Sequence, residues 1–153
     1  MLEKIGITAF TNLVPTTEQI GGIAVGLSLG LSPLTVFIVS LTVNCLLFFP
    51  VYLALKILYE NFLSRINLFR KYLKHVRKRG KPYIDKYGVY GLTLFIAIPA
   101  PLTGTYTATV LSWLLGLDWK RSFLAILVGS SIGAFILLAG YLGMFYFLSF
   151  IGG

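Results

Sequence analysis

Three long stretches of this chain, residues 19–55, 88–117 and 122–153, contain no Asp, Glu, Lys or Arg. An apolar, charge-free run well beyond ~18 residues fits a bilayer and little else. Composition agrees: 57% of the 153 residues are hydrophobic and 12% charged, against ~25% charged in an ordinary soluble domain. The same figures exclude disorder, which needs low hydrophobicity. A net charge of +8 would by itself suggest a nucleic-acid partner. Its distribution argues otherwise, because ten of the thirteen basic residues lie between Lys56 and Lys86, a segment bounded on both sides by membrane-like sequence. The chain therefore reads as an all-α integral membrane protein, a single multi-pass domain over 1–153 in the cell membrane, with membrane lipids and not nucleic acid as its surroundings.

Prolines break the apolar runs. Residues 5–14 are too short to cross ~30 Å of hydrocarbon as a helix. They stop at Pro15, after which Thr16 and Gln19 fit a capping box for a second short helix reaching about Gly30. Ser32-Pro33 then marks the start of a long helix, 33–58, with Pro50 as its expected kink. The second half repeats the pattern. A short arm from 88 breaks at Pro99-Ala100-Pro101-Leu102-Thr103-Gly104-Thr105, a second arm runs to Leu117, and Asp118 precedes a long helix, 119–150. An offset of 86 pairs Pro15 with Pro101, Thr17 with Thr103, Ser32 with Asp118 and Asn44 with Ser130. It also pairs the stripe Gly22, Gly26, Gly30 with Ala108, Ser112, Gly116.

The predicted architecture is two inverted repeats. Each is a re-entrant helical hairpin (5–30 and 88–117) plus a transmembrane helix (33–58 and 119–150), and an amphipathic basic helix over 60–80 joins them. In that helix Phe62, Ile66, Phe69, Leu73 and Val76 recur at helical spacing, with Gly80 as its stop. In this arrangement loop 56–87 and the Lys120-Arg121 corner share the cytoplasmic side, in line with the positive-inside rule. The rival arrangement makes 5–30 and 88–117 full but broken spans and separates those two basic regions.

Broken helices at membrane depth place free backbone groups and helix ends where transporters build their sites. Glu18 is the only acidic residue predicted inside the apolar region, where a charge costs ~2.5–3.5 kcal/mol. It is the candidate for taking up and releasing a coupling proton. Thr17, Asn44, Pro99, Pro101, Thr103, Gly104, Thr105 and Thr107 are the candidates to line the transport or substrate site with it. Arg77, Lys78 and Arg79 are candidates to gather lipid headgroups. There is no nucleophile–base pair, metal-ligand constellation or cofactor motif, so the reading is not an enzyme. The single Cys45 and the single His75 carry no chemistry of their own.

The run Phe95-Ile96-Ala97-Ile98-Pro99-Ala100-Pro101-Leu102-Thr103-Gly104-Thr105-Tyr106-Thr107 resembles the hallmark of the small multi-drug export protein family. Pro15-x-x-Glu18-x-x-Gly21 resembles its first motif, and Asn44 matches its Asn in the next helix. The chain departs from that pattern at Ile20, where the family has Arg, at Ala24, where it has Pro, and at Leu102, where it has Gly. The family is in turn similar to the DedA/VTT membrane proteins. The resemblance implies re-entrant-hairpin repeats and a transport role. The function expected first is a secondary, proton-linked exporter of small molecules. A lipid or polyprenyl-phosphate translocase and a non-transporting membrane scaffold are the alternatives. So few helices leave the hairpins needing cover, which predicts a homodimer or a higher homo-oligomer.

Overall fold

The computed structural model describes residues 1–100 and 103–151, and for 76 and 79–85 the backbone alone. Among the described residues regular structure is entirely helical: α1 (Leu2–Leu13), α2 (Glu18–Ser28), α3 (Pro33–Asn61), a 3₁₀ turn (Leu63–Arg65), α4 (Asn67–Ala97), α5 (Thr105–Leu115) and α6 (Trp119–Ile151). Two helices, α3 and α6, are long and apolar enough to cross a membrane.

Local sequence explains the punctuation. The Ser32 hydroxyl accepts from Thr35 N at 3.2 Å, with Pro33 in the first turn, so α3 starts where the sequence says it should. Gly30 and Gly116 both take the left-handed conformation, at φ +75° and +77°. Leu31 N donates to Gly26 O, and Leu117 N donates to Ser112 O, the bond that closes a Schellman turn. The two turns stand 86 residues apart.

Side-chain contacts fix the directions. Thr8 lies beside Gly26, and a Cβ at Gly22 would overlap the Asn12 carboxamide, so α1 and α2 are antiparallel. Asn12 Nδ2 reaches Ser40 Oγ at 3.2 Å, and Thr8 stands level with Val36, so α1 and α3 run in parallel. Thr93 O faces Gly129 and the Ile96 and Ala97 carbonyls face Gly133, so α4 and α6 are parallel. Phe48 and Phe49 pack on Phe123 with ring centroids 5.7 and 5.2 Å apart, whereas Val36 clusters with Ala134 and Leu138. Rising numbers on α3 thus meet falling numbers on α6, and the two long helices are antiparallel. The core is split into two clusters, one around Phe48, Ile96, Ala108 and Ile126, the other around Ile23, Val36, Ala134 and Leu138.

The basic segment departs from expectation. It is not a separate helix over 60–80: α3 continues to Asn61, and α4 runs unbroken from Asn67 to Ala97 through Gly80 and Pro82 into the first arm of the second helical pair. A mid-helix glycine costs only ~1 kcal/mol. Packing holds the helix on both sides of it, at Leu73 (2% exposed) and at Leu92 and Ile96. The capping box is absent too. Thr17, not Thr16, precedes α2, and its hydroxyl donates back to Thr11 O at 3.1 Å. Pro50 sits inside a continuous α3.

Candidate functional site

Both chain breaks arrive at the same place. The first break carries Glu18, whose side chain is 7% exposed. Its carboxylate reaches across to the second break, where Thr105 N donates to Glu18 Oε2 at 2.6 Å. The N-terminus of α5 is thus capped by an acid from the other half of the chain. An anion at such an end satisfies a free N–H and meets the positive end of the helix dipole. Among the described residues the one ion pair is the exposed Lys56–Glu60 at 4.0 Å, so Glu18 has no cationic partner among them.

The close approach is built into Gly104. A Cβ there would fall inside the Glu18 carboxylate. Glu18 itself holds φ +38°, the one positive φ of a non-glycine among the described residues. A side chain in that region costs of order 1–3 kcal/mol and persists only where its surroundings enforce it.

Two more hydrogen bonds tie the breaks together. Tyr106 hydroxyl donates to Leu13 O at 2.7 Å, fastening the end of α1 to the start of α5. Gln19 Nε2 donates to Ser130 O at 3.0 Å, fastening the start of α2 to the middle of α6. Within the second break Thr103 organises the turn: its hydroxyl lies 2.7 Å from both the Ile98 and Ala100 carbonyls, sharing its one hydrogen between them, and Ala100 N donates back to it at 3.1 Å.

These groups line a partly open cavity of about 30 Å³, room for one or two waters and far below the ~300–1,000 Å³ of a drug-sized site. Of the residues expected from the sequence, Glu18, Thr17, Asn44, Pro99, Thr103, Gly104 and Thr105 line it. Thr107 does not. It follows Thr105 by two residues, ~200° around the helix, and so faces away. Pro101 lies outside the described residues. Gln19 and Ser130 line the cavity and were not expected there, although Ser130 falls opposite Asn44 in the 86-residue offset.

The basic candidates divide differently. Arg77 is occupied inside the protein: Nε donates to Leu114 O at 3.3 Å, Nη2 to Trp113 O at 3.2 Å, and the guanidinium lies 5.5 Å from the Trp113 ring centroid. It caps the C-terminus of α5. Lys78 is exposed, and the Arg79 side chain lies outside the described residues. On α6, Gly129 and Gly133 pack against α4, while Gly140 faces open space.

A sequence model of the family described as "Putative small multi-drug export protein" matches residues 18–136. The chain matches no curated protein and no solved structure.

Proposed function

The chain belongs to the small multi-drug export protein family, and from that membership we propose that it is a secondary, proton-linked membrane transporter whose proton-coupling site is the cavity between the two breaks. The observation that carries the reading is the Glu18 carboxylate on the N-terminus of α5. It joins two irregular segments at one buried polar point, the arrangement in which broken helices form substrate and ion sites.

The same reading includes two inverted repeats with re-entrant hairpins. Helices α1 and α2, at 12 and 11 residues, are each ~17 Å long, about half the hydrocarbon thickness. The antiparallel α3 and α6, the matching left-handed glycines and the offset of 86 all support an inverted pair. The contacts also gather the basic residues at one end. Arg77 meets the C-terminus of α5, the C-terminal end of α3 leads to α4, and Lys120-Arg121 begin α6. Lys4 sits at the opposite end, donating to Leu29 O at 2.7 Å. The broken-span arrangement puts those basic groups on opposite sides, so these contacts support the hairpin arrangement instead. In our reading the basic end is cytoplasmic, and a second copy of the chain covers part of the apolar exterior.

In proteoliposomes with an imposed pH gradient, the wild type should move a cationic dye and Glu18→Gln should not. Equal gradient-driven flux in both sinks the proton role. Cysteines placed at Lys4 and at Lys78 in a Cys45→Ala background should label from opposite sides, Lys78→Cys from the cytoplasm. Labelling from one side overturns the hairpin arrangement. Lipid-phosphate translocation draws less support, because Arg77 is committed to α5.

A further inference from the structure

The cavity between the breaks is lined by oxygens that have nothing to bind. Asn44 Oδ1, Thr105 Oγ1 and Ser130 Oγ are buried without a hydrogen-bond partner among the described residues. All three residues are 1% exposed. All three share the cavity wall with Glu18. They come from three different helices, α3, α5 and α6, so no single local turn explains their meeting. Leaving such groups unpaired in a dry interior is costly.

The chemistry of the wall selects the occupant. An anion is disfavoured, because the N-terminus of α5 already holds Glu18 and no Lys or Arg pairs with it among the described residues. An apolar occupant would leave every oxygen unsatisfied. A water would satisfy the hydroxyls, but it would leave the charge uncompensated whenever Glu18 is ionised. A small cation satisfies both, and the hydroxyl hydrogens of Thr105 and Ser130 can rotate to present lone pairs. The C-terminal end of α4, whose last carbonyls face Gly133 beside the cavity, adds negative potential. Calcium sites use 6–8 oxygens and are rich in carboxylates, and magnesium keeps several waters. One carboxylate and a volume of about 30 Å³ suit a monovalent ion.

We propose that the cavity binds a single sodium-sized cation through the Glu18 carboxylate, Asn44 Oδ1, Thr105 Oγ1 and Ser130 Oγ. The inference rests on the transport reading of this cavity and adds an ion to it: Glu18 holds either the proton or the cation.

The test uses purified full-length protein in detergent, with radioactive sodium binding and thermal unfolding in NaCl, KCl and choline chloride at equal ionic strength. A single saturable sodium site and a thermal shift in NaCl that choline does not produce are expected. Ser130→Ala and Thr105→Val, which keep the backbone contacts, should each weaken binding roughly tenfold or more. Arg70→Gln, far from the cavity, should not. Glu18→Gln should abolish binding, and if that variant does not fold, Ser130→Ala carries the test. Identical unfolding in the three salts, or sodium binding indifferent to Ser130→Ala and Thr105→Val, overturns the site and leaves water as the occupant. Failure of sodium binding with Glu18-dependent flux intact overturns the cation alone. Sodium binding without flux of any solute overturns the transporter and leaves the site standing.

Discussion

The two helical pairs obey one plan and meet in one cavity, yet they contribute opposite things. The first pair turns in a few residues and brings an acid. The second is braced by Thr103 and brings a bare helix N-terminus. At their outer ends they agree again: a cation from the first arm caps the C-terminus of the second, Lys4 on Leu29 O in one pair and Arg77 on Trp113 O and Leu114 O in the other. The two pairs are therefore alike in their outer caps and differ at the centre. A charge and its complement cannot be supplied by identical halves, so the chemistry itself requires the two breaks to differ.

The sharpest way to break that comparison is Gly104→Ala. Its Cβ would displace the Glu18 carboxylate, combining overpacking with a lost buried bond, a destabilisation of ~3 kcal/mol. The matching change in the first half, Glu18→Ala, removes only the cap and should cost about 1–2 kcal/mol. Thermal unfolding of both proteins checks the order, and a neutral Gly104→Ala would mean that the two breaks are not in contact. Arg77→Ala should follow at about 1–2 kcal/mol, since it loses two carbonyl bonds and the Trp113 contact. The exposed Lys4→Ala should cost well under 1 kcal/mol. Equal losses at Arg77 and Lys4 would show that the caps serve topology and not α5. The smallest difference lies between Gly30→Ala and Gly116→Ala. Both face the ~1–2 kcal/mol of a left-handed alanine, but the Cβ at Gly116 would also stand 3.3 Å from Arg77 Nε. Gly116→Ala should be the worse of the two by a few tenths of a kcal/mol, and the reverse order would place Arg77 elsewhere.

Most of the helical plan was legible because its signals are local. Ser32-Pro33, the breaks at Pro15 and Pro99, and the glycines at 30 and 116 act on their own backbone within one turn. The basic segment was misread for the converse reason. Gly80 and Pro82 are local stop signals, and packing at Leu73, Leu92 and Ile96 outweighs them. Of the site, Glu18 stood out because a lone acid in an apolar run is visible without a structure. Gln19, Ser130 and Tyr106 did not, because their partners lie about ninety or more residues away and neutral polar residues carry no spacing signature. The place of Arg77 on the end of α5 was hidden on the same ground, since a basic run says nothing about which of its members the protein ties to its own backbone.

The sequence by itself determined the medium, the places of the two breaks and the one residue whose charge had to be accounted for. Hydrophobicity, prolines and charge placement are properties of short windows, and they act whatever the chain does elsewhere. Only the tertiary structure decided what Glu18 does with its charge. It set the carboxylate on the N-terminus of α5, beside three unpaired oxygens from three helices. That outcome depends on α3 and α6 crossing in opposite directions, a relation between distant segments that no local window contains.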